Sequence, residues 1–403
     1  LSSFFQGLYG ERVKDLRPSP IREMLHLVRR PGIISFAGGM PDPEAFPVDL
    51  FYQAAGIIKS QGKDVLQYGT TEGYAPLKDF LIQWTAPRMG RKLEHDEMLI
   101  TAGSSQVSDL LCWALIDKDD LILIEEPSFL GVFLNMHNHG AKFLTVPCDD
   151  EGMMVDLIPE KVERAQREGK KVKLCYTIAN FHNPLGTTLS LERRRKLIEY
   201  AHRYGFAIME DDPYGYVRFE GEHLPTLFSL DDRGVVIYAG SFSKILAPGT
   251  RVGWCCGHKD IIRKMAIFKQ GVDVCTSLVA QAMVYEYCRL GHLDSFLPKI
   301  IDHYRKKRDA MEDAMRRHLP LEKLHWVKPQ GGYFYWVKMD GIDCDRLFQV
   351  AVDKQVAFVP GKAFYPNRDG GDQEIRLCYT FASPEQTDQG MRRLGEAMRE
   401  MIR

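Results

Sequence analysis

Lys244 lies in SFSKILAPGTRVGW (241–254), directly after the apolar run GVVIYAGS (234–241). A lysine is ordinarily a solvated side chain. In an open α/β sheet, however, ligands gather beyond the carboxyl ends of the strands. A lysine held there, with Ser241, Ser243 and Arg251 alongside, can form a Schiff base beside an anion cradle. EDDPYGY (210–216) also follows an apolar run and sets Asp211 and Tyr214 three residues apart. An acid at a strand end is commonly a turn former. A buried carboxylate beside a pyridine nitrogen would instead keep that nitrogen protonated, and a pyridinium is the electron sink that carbanion chemistry on a Schiff base needs. Tyr214 can hydrogen-bond a phenolic oxygen on such a ring.

Two further segments have the same placement. In ANFHNPLGTT (179–188), Asn-Pro reads equally as a turn start and as an amide, Asn183, aimed at that phenolic oxygen. In TAGSSQVSDLL (101–111), a Gly-Ser-Ser turn opens a helix. Ser104 or Ser105 can simply cap that helix, or the helix end can bind an anion through its free N–H groups.

The elements that must carry these residues are legible. The expected strands are 97–103, 120–127, 141–147, 172–178, 205–212, 234–241 and 251–257. Their near-continuous apolar character fits strands buried on both faces of a mostly parallel sheet. Helical patterns lie between several of them: Val107, Leu110, Leu111, Ala114 and Leu115 share one face, and Leu197, Ile198 and Ala201 share another before a stop at Gly205. This alternation predicts an α/β layered domain. After about residue 295 the texture changes to a charged helical stretch (299–318) and aromatic strands, a smaller α+β unit. The expected division is a proline-rich arm and short helix over 1–45 packing with that unit, a large domain over 46–295, and a small domain over 296–403.

Composition removes several classes. With 53 Lys+Arg against 54 Asp+Glu, the chain is not built as a polyanion or nucleic-acid binder. No apolar run reaches membrane-spanning length, and the first residues lack the layout of a signal peptide. Nine cysteines, none in a C-x-x-C pair, predict reduced thiols in a reducing, cytoplasmic compartment and no zinc site. HExxH, GxGxxG and GxxxxGK[ST] are absent.

The order Asn183, Asp211, Tyr214, Lys244, Arg251 resembles fold-type I pyridoxal-5′-phosphate (PLP) enzymes of the class I/II aminotransferases. The chain looks most like the 2-aminoadipate / kynurenine aminotransferase II subgroup. SPIRE (19–23), ISFAGGMPDPEAFP (34–47), LQYGTTEGYAPL (66–77), EEPSF (125–129), GGYFYW (331–336), VAFVPGKAF (356–364) and RLCYTF (376–381) carry that likeness. It implies a seven-stranded, mostly parallel sheet between helices, plus a small α+β domain.

The resemblance also implies roles. Lys244 would bind the cofactor's aldehyde carbon and move the proton, Asp211 would pair with the ring nitrogen, and Asn183 and Tyr214 would hold the ring oxygen. Ser104, Ser105, Ser241 and Arg251 would hold the phosphate, with Tyr68 reaching the cofactor of a neighbouring subunit in a homodimer with shared sites. Phe129 would stack on the ring, Arg376 would clamp the substrate carboxylate, and Gly39 would let backbone approach the substrate. Arg22 reads either as a solvated or paired arginine or as the reader of an acidic substrate side chain; His182 is given no catalytic role. The implied activity is transfer of an amino group from an L-amino acid (2-aminoadipate, aromatic or aliphatic) to a 2-oxo acid such as 2-oxoglutarate. The alternative is elimination, replacement or condensation on the same scaffold. A ligand-sensing regulator would need a helix-turn-helix module, for which the stretch before SPIRE is too short.

Overall fold

In the computed structural model, residues 2–10, 16, 32–60 and 62–402 are described. The main sheet contains β1 (Met98–Thr101), β2 (Leu121–Glu126), β3 (Lys142–Asp149), β4 (Gly152–Met153), β5 (Val172–Thr177), β6 (Ala207–Asp211), β7 (Val236–Ser241) and β8 (Gly253–Cys256). Their order across the sheet is β1-β8-β7-β6-β5-β2-β3-β4. All seven expected strands are present. The eighth, β4, is a two-residue strand that turns back antiparallel on β3; its sequence is too short to carry a period.

The central pairings from β7 through to β3 are parallel. That places the carboxyl ends of β2, β5, β6 and β7 along one edge. β8 runs antiparallel to both β7 and β1, with Gly253 opposite Ser241 and Thr101. The start of β8 therefore lies at the edge where its neighbours finish. Six segments far apart in sequence thus emerge together, which is the geometry that concentrates ligand sites at one sheet edge.

The sheet is buried on both faces. Every residue of β1, β7 and β8 is buried. Four helices matter for the site: α1 (Ala75–Met89), α2 (Ser104–Leu115), α3 (Leu191–Tyr204) and α4 (His292–His318). In α2, Val107, Leu110 and Leu111 are buried, as their spacing requires. α3 ends on Gly205 in the left-handed region, φ +74°.

The last third builds a separate four-stranded antiparallel sheet from β9 (Leu324–His325), β10 (Phe334–Met339), β11 (Val359–Pro360) and β12 (Glu374–Cys378), in the order β9-β10-β12-β11. Its core includes Tyr335, Val337, Ile375 and Leu377 and is shared with Ile34 and Phe36. Ile34–Ser35 pair in parallel with Val356–Ala357. Tyr333, Phe334 and Cys378 belong instead to the core of the main sheet, so the two units meet beside the carboxyl edge. Among the described residues no helix is long and apolar enough to cross a membrane, and all nine cysteines are unpaired thiols.

Candidate active site

A cavity of about 340 Å³ opens at that edge and is lined by Gly39, Ser104, Ser105, Phe129, Asn183, Asp211, Tyr214, Ser241, Lys244, Arg251 and Arg376, together with Met40, Ile178, Pro213, Ser243 and Pro248. A larger hollow of about 560 Å³, bordered by Glu72, His95 and Arg263, draws in none of these groups.

Lys244 leaves the turn after β7 and reaches into the cavity, where Nζ donates to the Gly39 carbonyl at 2.8 Å. Burial pushes its ammonium down to about 8, and the guanidinium groups of Arg376 and Arg251 push the same way. More of the amine is therefore neutral near pH 7 than for a lysine in water, as a base or nucleophile needs.

Asp211 closes β6. Because strand side chains alternate, Asp211 faces the cavity while Glu210 and Asp212 face the opposite side. Tyr176, on neighbouring β5, donates to Asp211 Oδ2 at 3.0 Å. The other oxygen, Oδ1, is buried and meets no group in hydrogen-bond geometry among the described residues. Burial raises the carboxyl to about 7; Tyr176 opposes the rise, the neighbouring Asp212 charge adds to it, and Ser104 moderates it. A buried carboxylate with a free oxygen facing a cavity is suited to a cationic N–H donor, and a pyridinium supplies one. Tyr214 is 3% exposed. Burial raises its phenol, which stays protonated, while Asn183 contributes a moderating hydrogen bond.

Arg376, on β12, is 2% exposed. Its Nη1 donates to Asn183 Oδ1 at 2.9 Å and its Nη2 to the Ala37 carbonyl at 2.7 Å. Nε has no partner. The guanidinium lies 4.3 Å over the Phe334 ring and 4.8 Å from that of Phe364, an aromatic sandwich that fixes its plane. Burial lowers it to about 10, so it remains a cation throughout the physiological range.

The anion cradle is built around Gly103, the residue before α2. No serine side chain caps this helix; the N-cap is Gly103 itself, with φ +86°. A Cβ there would lie 2.5 Å from Arg251 Nη2. Arg251 donates to the Ala102 carbonyl at 3.0 Å. Ser241 and Ser243 are linked at 2.9 Å between their hydroxyls. Ser104, Ser105 and Arg251 thus line the cavity beside the N-terminus of α2, whose first-turn N–H groups can hold an anion.

Gly39 sits against Phe334, whose ring would be 3.0 Å from an added Cβ. Tyr68 is 79% exposed and is not part of the cavity lining in its own chain. Arg22 and the rest of SPIRE lie outside the described residues. Motif and spacing do not single out Tyr176. The available signal is a tyrosine inside a fully buried strand, whose hydroxyl needs a partner.

This set of a lysine whose ammonium is lowered by burial, a buried acid with one oxygen unpaired among the described residues, a neighbouring phenol and amide, serines and an arginine at a helix N-terminus, and a second, buried arginine fits PLP. Residues 42–394 match the model of the family aminotransferase class I and II. The chain belongs to that family and is a PLP-dependent aminotransferase acting on amino and 2-oxo acids.

Relatives match over nearly the whole chain. An aromatic-amino-acid aminotransferase 1 from Thermococcus litoralis is 40% identical, covering 99% of this chain and 96% of its own. The crystal structure of a multiple substrate aminotransferase from Thermococcus profundus superposes with a TM-score of 0.94 at 41% identity, covering 99% of both chains. That of an α-aminoadipate aminotransferase from Thermus thermophilus, complexed with N-(5′-phosphopyridoxyl)-L-leucine, gives a TM-score of 0.90 at 35% identity, again over 99% of both.

Proposed function

We propose that this enzyme takes the amino group of a broad set of L-amino acids, including 2-aminoadipate, aromatic and aliphatic donors, and passes it to a 2-oxo acid such as 2-oxoglutarate. The observation that carries the reading is the joint placement of Lys244, the free Asp211 oxygen and Arg376 around one cavity. The breadth of donors is supported by relatives of nearly full coverage whose names span aromatic, multiple and aminoadipate substrates.

PLP, when bound, supplies the aldehyde that accepts the amino group and the ring that withdraws electrons from the substrate Cα. The chain does the rest. Ser104, Ser105, Ser241 and Arg251 bind the phosphate. Phe129 packs on the ring face. Asp211 holds the proton on the ring nitrogen, and Asn183 and Tyr214 donate to the ring oxygen. Arg376 takes the substrate α-carboxylate through its fork of N–H donors, and its contacts to Asn183 and Ala37 set the direction of that fork. Gly39 keeps the backbone close to the substrate. Lys244 would be the base that takes the Cα proton and delivers it to the C4′ carbon of the cofactor.

Tyr68, exposed in its own chain, serves the cofactor phosphate of a second copy, which makes the working unit a homodimer. Arg22 pairs with the distal carboxylate of acidic donors. The nine unpaired thiols support a reducing, cytoplasmic setting.

The test is a half-reaction screen. The PLP form, mixed with one amino acid and no acceptor, yields one equivalent of pyridoxamine phosphate and one of 2-oxo acid for each accepted donor. Continuous product release without pyridoxamine phosphate would overturn transamination in favour of elimination. Confinement to a single donor class would overturn the proposed breadth.

A further inference from the structure

Behind Asp211, on the side away from the cavity, lies a largely buried polar network that the reaction does not touch. Asp212 is its centre. Arg88, in the last turn of α1, donates to Asp212 Oδ2 from Nε at 3.0 Å and again from Nη2. Tyr238 of β7 donates to the same oxygen at 2.9 Å. Asn180 donates to Oδ1 at 2.9 Å, and its own carbonyl accepts from Arg194 of α3 at 2.7 Å. The Asp212 side chain is 1% exposed and that of Arg88 11%.

The pair also organises the loop that follows. The Arg88 guanidinium stacks 4.7 Å from the Tyr216 ring. A Cβ at Gly215 would run into Arg88 Nη2 and both Asp212 carboxylate oxygens. The 212–216 loop therefore folds directly over the ion pair, and only glycine fits at the crossing. Tyr214 sits in that loop and Asp211 immediately precedes it. Neither Arg88, Asp212 nor Asn180 lines the cavity.

Resting on the reading that Asp211 holds the ring nitrogen, we infer that Arg88 is a positioning residue: through Asp212 it pins the end of β6 and the 212–216 loop, so that Asp211 and Tyr214 keep their aim at the cofactor ring. Charge supports the geometry. Burial works against an ionised Asp212, but Arg88, Asn180 and Tyr238 outweigh it and hold the carboxyl below its ordinary range. Without the arginine, two carboxylates would stand adjacent in a dry interior.

The test uses holoenzyme loaded with cofactor ¹⁵N-labelled at the ring nitrogen, whose shift reports ring protonation. Arg88→Met should move that signal towards the unprotonated position, with cofactor still bound. It should lower kcat/KM for the amino donor by roughly ten- to a hundredfold, the range for a lost supporting contact. Arg88→Lys should lie between the two. The double variant Arg88→Met/Asp212→Leu removes the unpaired carboxylate. It should regain thermal stability but keep the shifted signal, and it carries the readout if Arg88→Met alone does not fold. An unchanged ¹⁵N signal in folded Arg88→Met, or a double variant that recovers both stability and signal, overturns the inference. Asp211→Asn is run alongside: if it leaves the signal unmoved, the reading of Asp211 fails rather than that of Arg88.

Discussion

Lys244 Nζ donates to the carbonyl oxygen of Gly39 across 2.8 Å, joining residues 205 positions apart in sequence. Gly39 belongs to the segment that adds Phe36 to the small-sheet core, whereas Lys244 follows a main-sheet strand. The lysine thus bridges the two units at the cavity, in surroundings that favour its neutral form.

The first prediction concerns that amine. In cofactor-free enzyme, the rate of aldehyde capture by Lys244 should rise with pH and level off above about 8, because only the neutral amine attacks. A lysine in water levels off about two units higher. Arg376→Met or Arg251→Met removes a nearby positive charge and should shift the midpoint upwards. The check is a stopped-flow pH profile of visible absorbance on adding PLP.

The second concerns the anion cradle. Gly103→Ala places a methyl 2.5 Å from Arg251 Nη2 at a φ of +86°, so it carries both a clash and backbone strain. PLP affinity of the apoenzyme should fall by roughly ten- to a hundredfold, the loss of one to two charge-assisted hydrogen bonds. Equilibrium dialysis against PLP measures it. Pyridoxal, which lacks the phosphate, should bind both forms alike.

Much of this architecture is legible in the sequence, and the reason is physical. Strands of a buried parallel sheet must be apolar on both faces, so runs such as 121–126 and 236–241 stand out. Such sheets bind ligands at their carboxyl edge, so polar residues just after those runs, Lys244 and Asp211 among them, become candidates. What escapes is lateral. Tyr176 lies mid-strand in an apolar run and meets Asp211 only because β5 and β6 pair. Arg88 lies on α1, in a helix whose sequence gives no sign that its last turn meets Asp212. Residue type points to Ser104 or Ser105 as the cap of α2, but Gly103 takes that position; the close approach of Arg251, invisible in sequence, leaves no room for a Cβ.

The third prediction separates the two adjacent acids. Asp211→Asn should lower kcat by on the order of 10²–10³-fold, the cost of losing one preorganised electrostatic partner. Asp212→Asn keeps a hydrogen-bonding group towards Arg88 and Tyr238 and should cost less. Single-turnover rates with a saturating amino donor decide between them; a larger loss in Asp212→Asn would place the wrong acid at the ring.

The fourth concerns the shared site. Lys244→Ala and Tyr68→Phe homodimers should both be impaired. Mixing them by reversible dissociation creates heterodimers in which one site takes Lys244 from one chain and Tyr68 from the other. Activity should rise above the sum of the parents towards one wild-type site per heterodimer. No rise on mixing, or a fully active monomer in sedimentation, refutes the shared site.

The most direct measurement of the central claim is chemical. Holoenzyme is reduced with borohydride, digested, and the phosphopyridoxyl adduct is located by mass spectrometry. The account predicts one adduct per chain, on Lys244, lost in Lys244→Ala, which should still bind PLP reversibly. An adduct on any other lysine, or no adduct in enzyme that turns over, would contradict the assignment of Lys244 as the residue that binds the cofactor and moves the proton.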